Sequence, residues 1–116
     1  MPDSIAYKVL TADQLDALEH QGSFAGAPVD LADGYIHLST ADQLAGTIDK
    51  HFAGQTGLQL VAVDLEALGD AVKWEESRGG ALFPHIYGAP ITLDVVLAYS
   101  PLEYEPNGEI RLPVTG

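Results

Sequence analysis

The sequence predicts an α+β fold on three observations. Two helical segments open with the same capping sequence, and five to seven segments read as strands. The third is size: 116 residues, 47% of them hydrophobic, suffice for one domain with its own core and fall short of two. Residues 1–116 are therefore read as a single domain.

Ser4 to Leu10 is a short apolar run that meets Thr11-Ala-Asp-Gln14, where Thr and Gln stand at capping-box spacing. A strand and then a helix are expected. Leu10 and Leu15 are placed for a hydrophobic staple, Leu15 and Leu18 form the buried stripe, and Gly22 stops the helix. Gly22 to Asp33, with Gly26, Pro28 and Asp33-Gly34, reads as a long loop entering a turn. Tyr35-Ile-His-Leu-Ser39 alternates strictly, so a strand there sends Ile36 and Leu38 to one face and Tyr35, His37 and Ser39 to the other. The pentapeptide Thr-Ala-Asp-Gln-Leu recurs at 40–44 and opens a second helix, with Leu44, Ile48 and Phe52 on one face and Gly54 past its end. The flanks of the two copies diverge at once, so the recurrence is shared capping chemistry and not a repeat.

Leu58 to Asp64 is a nearly continuous apolar strand, and Leu65 to Gly69 a short turn or helix. Val72 to Ser77 is a strand with Val72 and Trp74 inward and Lys73, Glu75 and Ser77 opposite. Arg78-Gly-Gly80 connects it to Leu82–Gly88, which Pro84 marks as an edge strand or an ordered loop; if extended, it aligns His85 with Tyr87. Ile91 to Ser100 is the longest strand, ended by Pro101, and Asn107-Gly108 signals a terminal hairpin.

Five Lys and Arg against 17 Asp and Glu leave a net charge of −12, which repels phosphate backbones and anionic lipid. Nucleic acid and membrane are thus excluded as expected partners, and a small-molecule ligand is the partner anticipated. The absence of cysteine removes thiol nucleophiles, disulfides and Cys-ligated metals. Four histidines are present without His-Glu-x-x-His, His-x-His or a calcium loop, so no metal is expected. With no signal-like or membrane-length apolar segment, the expected location is cytoplasmic.

Three constellations could carry chemistry. His37-Leu-Ser39-Thr40 puts an imidazole and a hydroxyl on one strand face just before a helix, an arrangement suited to a phosphate or a polarised carbonyl. The second copy of the capping sequence forgoes its staple, carrying Ser39 where the first carries Leu10, and such a local conflict points to function. Against this, His37 serves equally as a half-buried structural residue. Trp74 to Gly80 offers Glu75, Arg78 and a glycine pair, or simply a solvated strand end. Phe83 to Gly88 offers His85 as acid or base and Tyr87 as a donor, or an aromatic cluster packed under a loop. His20 and His51 read as structural.

Together, Asp33-Gly-Tyr-Ile-His-Leu-Ser-Thr40 with Gln43, His51-Phe52, Leu60-Val-Ala-Val-Asp64, Lys73-Trp-Glu75, Ser77, Gly79 and Phe83-Pro-His-Ile-Tyr-Gly88 resemble domain-of-unknown-function family 952. The resemblance covers roughly positions 5 to 100. That family looks like a compact relative of the ADP-ribosyltransferase fold, which implies a mixed, strongly bent β-sheet with about two main helices, and NAD in a cleft. The expected cleft is lined by Tyr35, His37, Ser39, Glu75, Arg78, His85 and Tyr87, with His37 and Ser39 resembling the family's ligand-anchoring element. His37 and Ser39 orient the ligand, Arg78 neutralises pyrophosphate, Tyr87 stacks, and Glu75 or His85 handles developing charge or the proton. The same His37-x-Ser39 also resembles one half of a two-histidine phosphoesterase, with His85-x-Tyr87 as the other half. A non-catalytic small-molecule binding module is the third alternative.

Overall fold

The computed structural model describes residues 4–77 and 80–114. Strand β1 (Ile5–Leu10) leads through Thr11 into helix α1 (Ala12–Gln21). The capping box forms in both directions: the Gln14 N–H donates to Thr11 Oγ1 at 3.2 Å and the Thr11 N–H to Gln14 Oε1 at 2.9 Å. Gly22 closes the helix at φ 78°, a left-handed conformation open to glycine without steric cost.

β1 pairs antiparallel with β4 (Gln59–Asp64), and β4 with β8 (Val96–Pro101), which makes β4 the central strand. Its residues Leu60 to Val63 are all 0% exposed, which explains a continuous apolar run where a half-exposed strand would alternate. One face sends Ala6, Leu10, Val61 and Val63 against Leu15 and Leu18 of α1. The other sends Tyr7, Val9, Leu60 and Ala62 against Leu44 and Ile48 of α3 (Leu44–His51), which a single 3-10 turn at Ala41–Gln43 precedes.

The segment from Gly22 to Asp33 is not a loop. It holds strand β2 (Ser23–Phe24) and helix α2 (Pro28–Asp33). Pro28 sits in the first turn, where its missing N–H costs no bond, the Asp30 carboxylate accepts from the Ala27 N–H at 2.7 Å, and Gly34 ends the helix at φ 89°. With α4 (Leu65–Leu68), capped by Asp64, two short helices join the two main ones, α1 and α3.

Ile91 to Ser100 is not one strand. β7 (Ile91–Thr92) pairs with β2, a 3-10 turn follows at Leu93–Val95, and β8 joins the β1-β4 sheet. The apolar alternation runs through this switch because side-chain period records which face a residue takes, not which sheet it joins. For a related reason the single mixed sheet expected resolves into three sheets, β1-β4-β8, β2-β7 and β3-β6-β5, all antiparallel among the described residues. Strand direction is set by the connections, which the alternation does not encode.

In the third sheet β6 (Leu82–Ile86) runs between β3 (Ile36–His37) and β5 (Val72–Glu76), so it is a central strand, not the edge or loop that Pro84 suggested. The Pro84 carbonyl faces the chain after β3 and accepts from the Leu38 N–H at 3.0 Å; only the reciprocal bond, at the very end of that ladder, is lost. Two backbone bonds between Tyr7 and Ser39, 2.7 and 2.9 Å, tie this sheet to β1. The terminal hairpin forms, with Tyr104 opposite Ile110. Among the described residues, no helix is long and apolar enough to cross a membrane.

Candidate active site

The register of β3 and β6 sets His37 directly opposite His85. The alternation that buries Ile36 and Leu38 turns His37 to the other face, and the two imidazoles meet edge-on with centroids 5.2 Å apart. Tyr35, two residues earlier on the same face, stacks on His85 at 4.4 Å and lies 4.7 Å from His37 and 4.9 Å from Tyr87. Four rings thus form one cluster.

Each histidine is held by carboxylates. His37 Nδ1 lies 2.6 Å from Asp30 Oδ1 and its Nε2 lies 3.0 Å from Asp33 Oδ2. The Asp30 carboxylate can only accept, so the Nδ1–H of His37 donates to it, and the Asp33 carboxylate stands beside Nε2. His85 Nδ1 lies 2.7 Å from Glu75 Oε1, which also accepts from the Tyr87 hydroxyl at 2.7 Å. With Nδ1–H donated to Glu75, His85 Nε2 is the acceptor nitrogen. Each histidine thus has its Nδ1 fixed on a carboxylate, Asp30 for His37 and Glu75 for His85.

Asp30 is the anchor of this arrangement. It is 1% exposed, and its carboxylate takes the Lys8 ammonium at 2.9 Å, the Ala27 N–H, the His37 N–H at 3.0 Å and the His37 ring. Lys8, itself buried, also donates to the His37 carbonyl at 2.9 Å. Burial pushes the Asp30 carboxyl up, but the Lys8 charge and the hydrogen bonds from His37 and Lys8 outweigh it, leaving Asp30 below its ordinary range. Burial holds the Lys8 ammonium below its ordinary range despite Asp30. Desolvation, with the charges of Asp33 and Glu75, raises Tyr35.

The hydrogen bonds from His85 and then Tyr87 hold Glu75 below the usual carboxylate range, and the bond to Glu75 pushes the Tyr87 phenol up to about 12. Glu75→Gln should therefore move one tyrosine of the five down toward 10 in a UV-detected tyrosinate titration. An unchanged titration curve would mean that the Tyr87–Glu75 bond does not persist in solution.

A cavity of about 310 Å³ opens on the cluster, and Tyr35, His37, Ser39 and His85 are among the residues that line it. Glu75 and Tyr87 reach it through His85, so Tyr35 and not Tyr87 presents the central ring. Ser39 is buried, and its hydroxyl is hydrogen-bonded to Thr47 Oγ1 at 2.7 Å, coupling the chain after β3 to α3 instead of standing open as a ligand donor. Arg78 lies outside the described residues. His51, read as structural, lines the cavity. Among the described residues, no three His, Asp or Glu side chains are grouped to hold a metal ion.

Sequence reasoning missed Lys8, Asp30 and Asp33, although two signals were present. Lys8 is the one charge in a strand otherwise made of Ile, Ala, Tyr, Val and Leu, and a buried lysine needs a carboxylate. Pro28 followed by Asp30 and Gly34 is a helix start and stop, which would have placed that carboxylate.

The model of the family described as "Protein of unknown function (DUF952)" matches residues 9–99. The crystal structure of protein CC0527 from Caulobacter crescentus is 45% identical in sequence and superposes with a TM-score of 0.82, covering 92% of this chain and 93% of that one. The solution NMR structure of CC0527 is 44% identical with a TM-score of 0.77, covering 93% and 91%. No curated protein matches the chain. The family match and the agreement with CC0527 over nine-tenths of both chains carry the same conclusion as the motifs around His37 and His85: the chain belongs to the DUF952 family.

Proposed function

We propose that the chain is a compact, cytoplasmic relative of the ADP-ribosyltransferases, and that its cavity takes the reacting end of NAD or another ADP-ribose-type ligand as substrate and cleaves or transfers its glycosidic bond. The observation that carries this reading is the gathering of three carboxylates, Asp30, Asp33 and Glu75, on two opposed histidines. Breaking an N-glycosidic bond leaves the electron pair with the departing base and positive charge on the sugar, which the Asp33 carboxylate in the cleft stabilises directly and Glu75 through His85. In hydrolysis the bond from the anomeric carbon to the base nitrogen breaks and a bond to the water oxygen forms. The water proton passes to His85 Nε2, whose other nitrogen is steadied by Glu75. In transfer an acceptor hydroxyl takes the place of water. Nδ1 of His37 is committed to Asp30, so His37 meets the ligand through Nε2 in place of the exposed Asp33, and Tyr35 offers a ring face to a planar base. A volume of about 310 Å³ is at the small end for ligand sites, so it admits the base and its ribose while the remainder extends outward.

A two-histidine phosphoesterase is the second reading, favoured by the register that opposes His37 and His85. The carboxylates weigh against it, because charge in phosphoryl transfer builds up as negative. Tyr87 also stands where that chemistry uses a small hydroxyl.

A thermal-shift screen of wild type and His37→Ala against NAD, ADP-ribose, nicotinamide and a cyclic phosphodiester separates the readings. NAD or ADP-ribose at about 100 times its Kd should stabilise wild type by about 2.7 kcal/mol and leave the variant unmoved, with nicotinamide released only by wild type. Stabilisation without release would leave a binding module, and a response confined to the cyclic phosphodiester would replace the glycosidic reading.

A further inference from the structure

The cavity has a second side, built from α3. Thr47, Lys50 and His51 stand three and four residues apart, share one face of that helix and line the same cavity as His37 and His85. Their position is fixed by the Ser39–Thr47 hydrogen bond and by Thr47 Oγ1, which donates to the Gln43 carbonyl at 3.2 Å. The chain therefore defines an order along the wall: His37, then Ser39 two residues on, then Thr47 across the hydrogen bond, then Lys50 and His51 one helical turn further.

The charge on this wall is unusual for so acidic a protein. Lys8 is consumed by Asp30 and Arg111 by Glu103 and Glu105, whereas Lys50 forms no ion pair or side-chain hydrogen bond with any described residue, despite 17 acidic residues in the chain. The acidic side chain lining the cavity, Asp33, is turned to His37. The cavity thus has Asp33 beside His37 at one end and, at the last turn of α3, a Lys50 ammonium that no described carboxylate pairs.

We propose that Lys50 and His51 form an anion subsite for the 5′-phosphate of a riboside, so that the site selects phosphorylated ribosides over free nucleosides and bases. This deepens the glycosidic reading and rests on it for the identity of the sugar. A riboside with its anomeric carbon at the histidines directs its 5′-phosphate away from them, toward the wall from which the long Lys50 side chain reaches. At the histidine end a phosphate would face the Asp33 carboxylate, whereas at the α3 end it meets the Lys50 ammonium, which no described carboxylate pairs.

The test compares nicotinamide mononucleotide with nicotinamide riboside, which differ by the phosphate alone, and adds inorganic pyrophosphate as a probe that needs no sugar. Wild type, Lys50→Ala and Lys50→Glu are titrated by thermal shift at two salt concentrations; Lys50 is exposed, so both variants should fold. Wild type should bind the mononucleotide at least about tenfold more tightly than the riboside, a preference that Lys50→Ala reduces, Lys50→Glu abolishes and high salt weakens. The riboside should bind all three proteins alike. Pyrophosphate that stabilises wild type and not Lys50→Glu, with no response to either riboside, would keep the anion subsite and discard the glycosidic reading. Equal binding of mononucleotide and riboside by wild type, or a phosphate preference that survives Lys50→Glu, would overturn the subsite.

Discussion

Asp30→Ala should destabilise the protein by about 3–5 kcal/mol, the cost of leaving a buried charge without its partner. The Lys8 ammonium would lose the carboxylate 2.9 Å away, and the N–H groups of Ala27 and His37 would lose their acceptor. For a domain whose total stability is about 5–15 kcal/mol, this is the difference between a folded and a marginal protein. Denaturant unfolding followed by far-UV circular dichroism measures it, and a loss below about 1 kcal/mol would show that Lys8 escapes to solvent. The pH dependence has a definite sign. Because the Asp30 carboxyl titrates below its ordinary 3.8 when folded, its contribution is fully present above about pH 4 and disappears as pH falls through the folded value. Asp30→Ala should therefore flatten the acid limb of the stability profile.

His85→Ala should lower kcat by about 10²- to 10⁴-fold on the substrate identified by the screen, with little change in KM, because the base acts on the proton of water or acceptor and not on ligand affinity. Glu75→Gln should fall in between, since an amide still occupies the space beside Nδ1 but no longer fixes which nitrogen carries the proton. His37→Ala should differ in kind and weaken binding as well as turnover, because Nε2 of His37 is the nitrogen proposed to meet the ligand. If His85→Ala left kcat intact while raising KM, the two histidines would hold the opposite roles.

Much of this arrangement could be read from the sequence, and the failures share a physical cause. The alternation of Tyr35 to Ser39 placed His37 and Tyr35 on the polar side of their strand, and the motif from Phe83 to Gly88 placed His85 and Tyr87 together. Those are local facts, set by a period of two. That His37 faces His85 is a matter of register between strands nearly fifty residues apart, which no window of sequence contains. Pro84 was misjudged because a rule about missing N–H groups depends on which neighbour that N–H would face, and here the ladder has just ended. The α2 helix was missed because six residues with Val29 and Leu31 exposed and only Asp30 buried carry no apolar stripe.

That last feature reaches beyond the site. A helix whose only buried residue is an acid is fastened by the same carboxylate that steers His37, so one group serves both durability and chemistry. Isosteric apolar pairs commonly replace buried ion pairs with no loss, and sometimes a gain, of stability. A hydrophobic pair at Lys8 and Asp30 would be such a change, and it would leave His37 with nothing at Nδ1. Along this lineage the route to a sturdier protein and the route to an inert one start with the same substitution, so selection for hardiness alone would be expected to erase the site while keeping the fold.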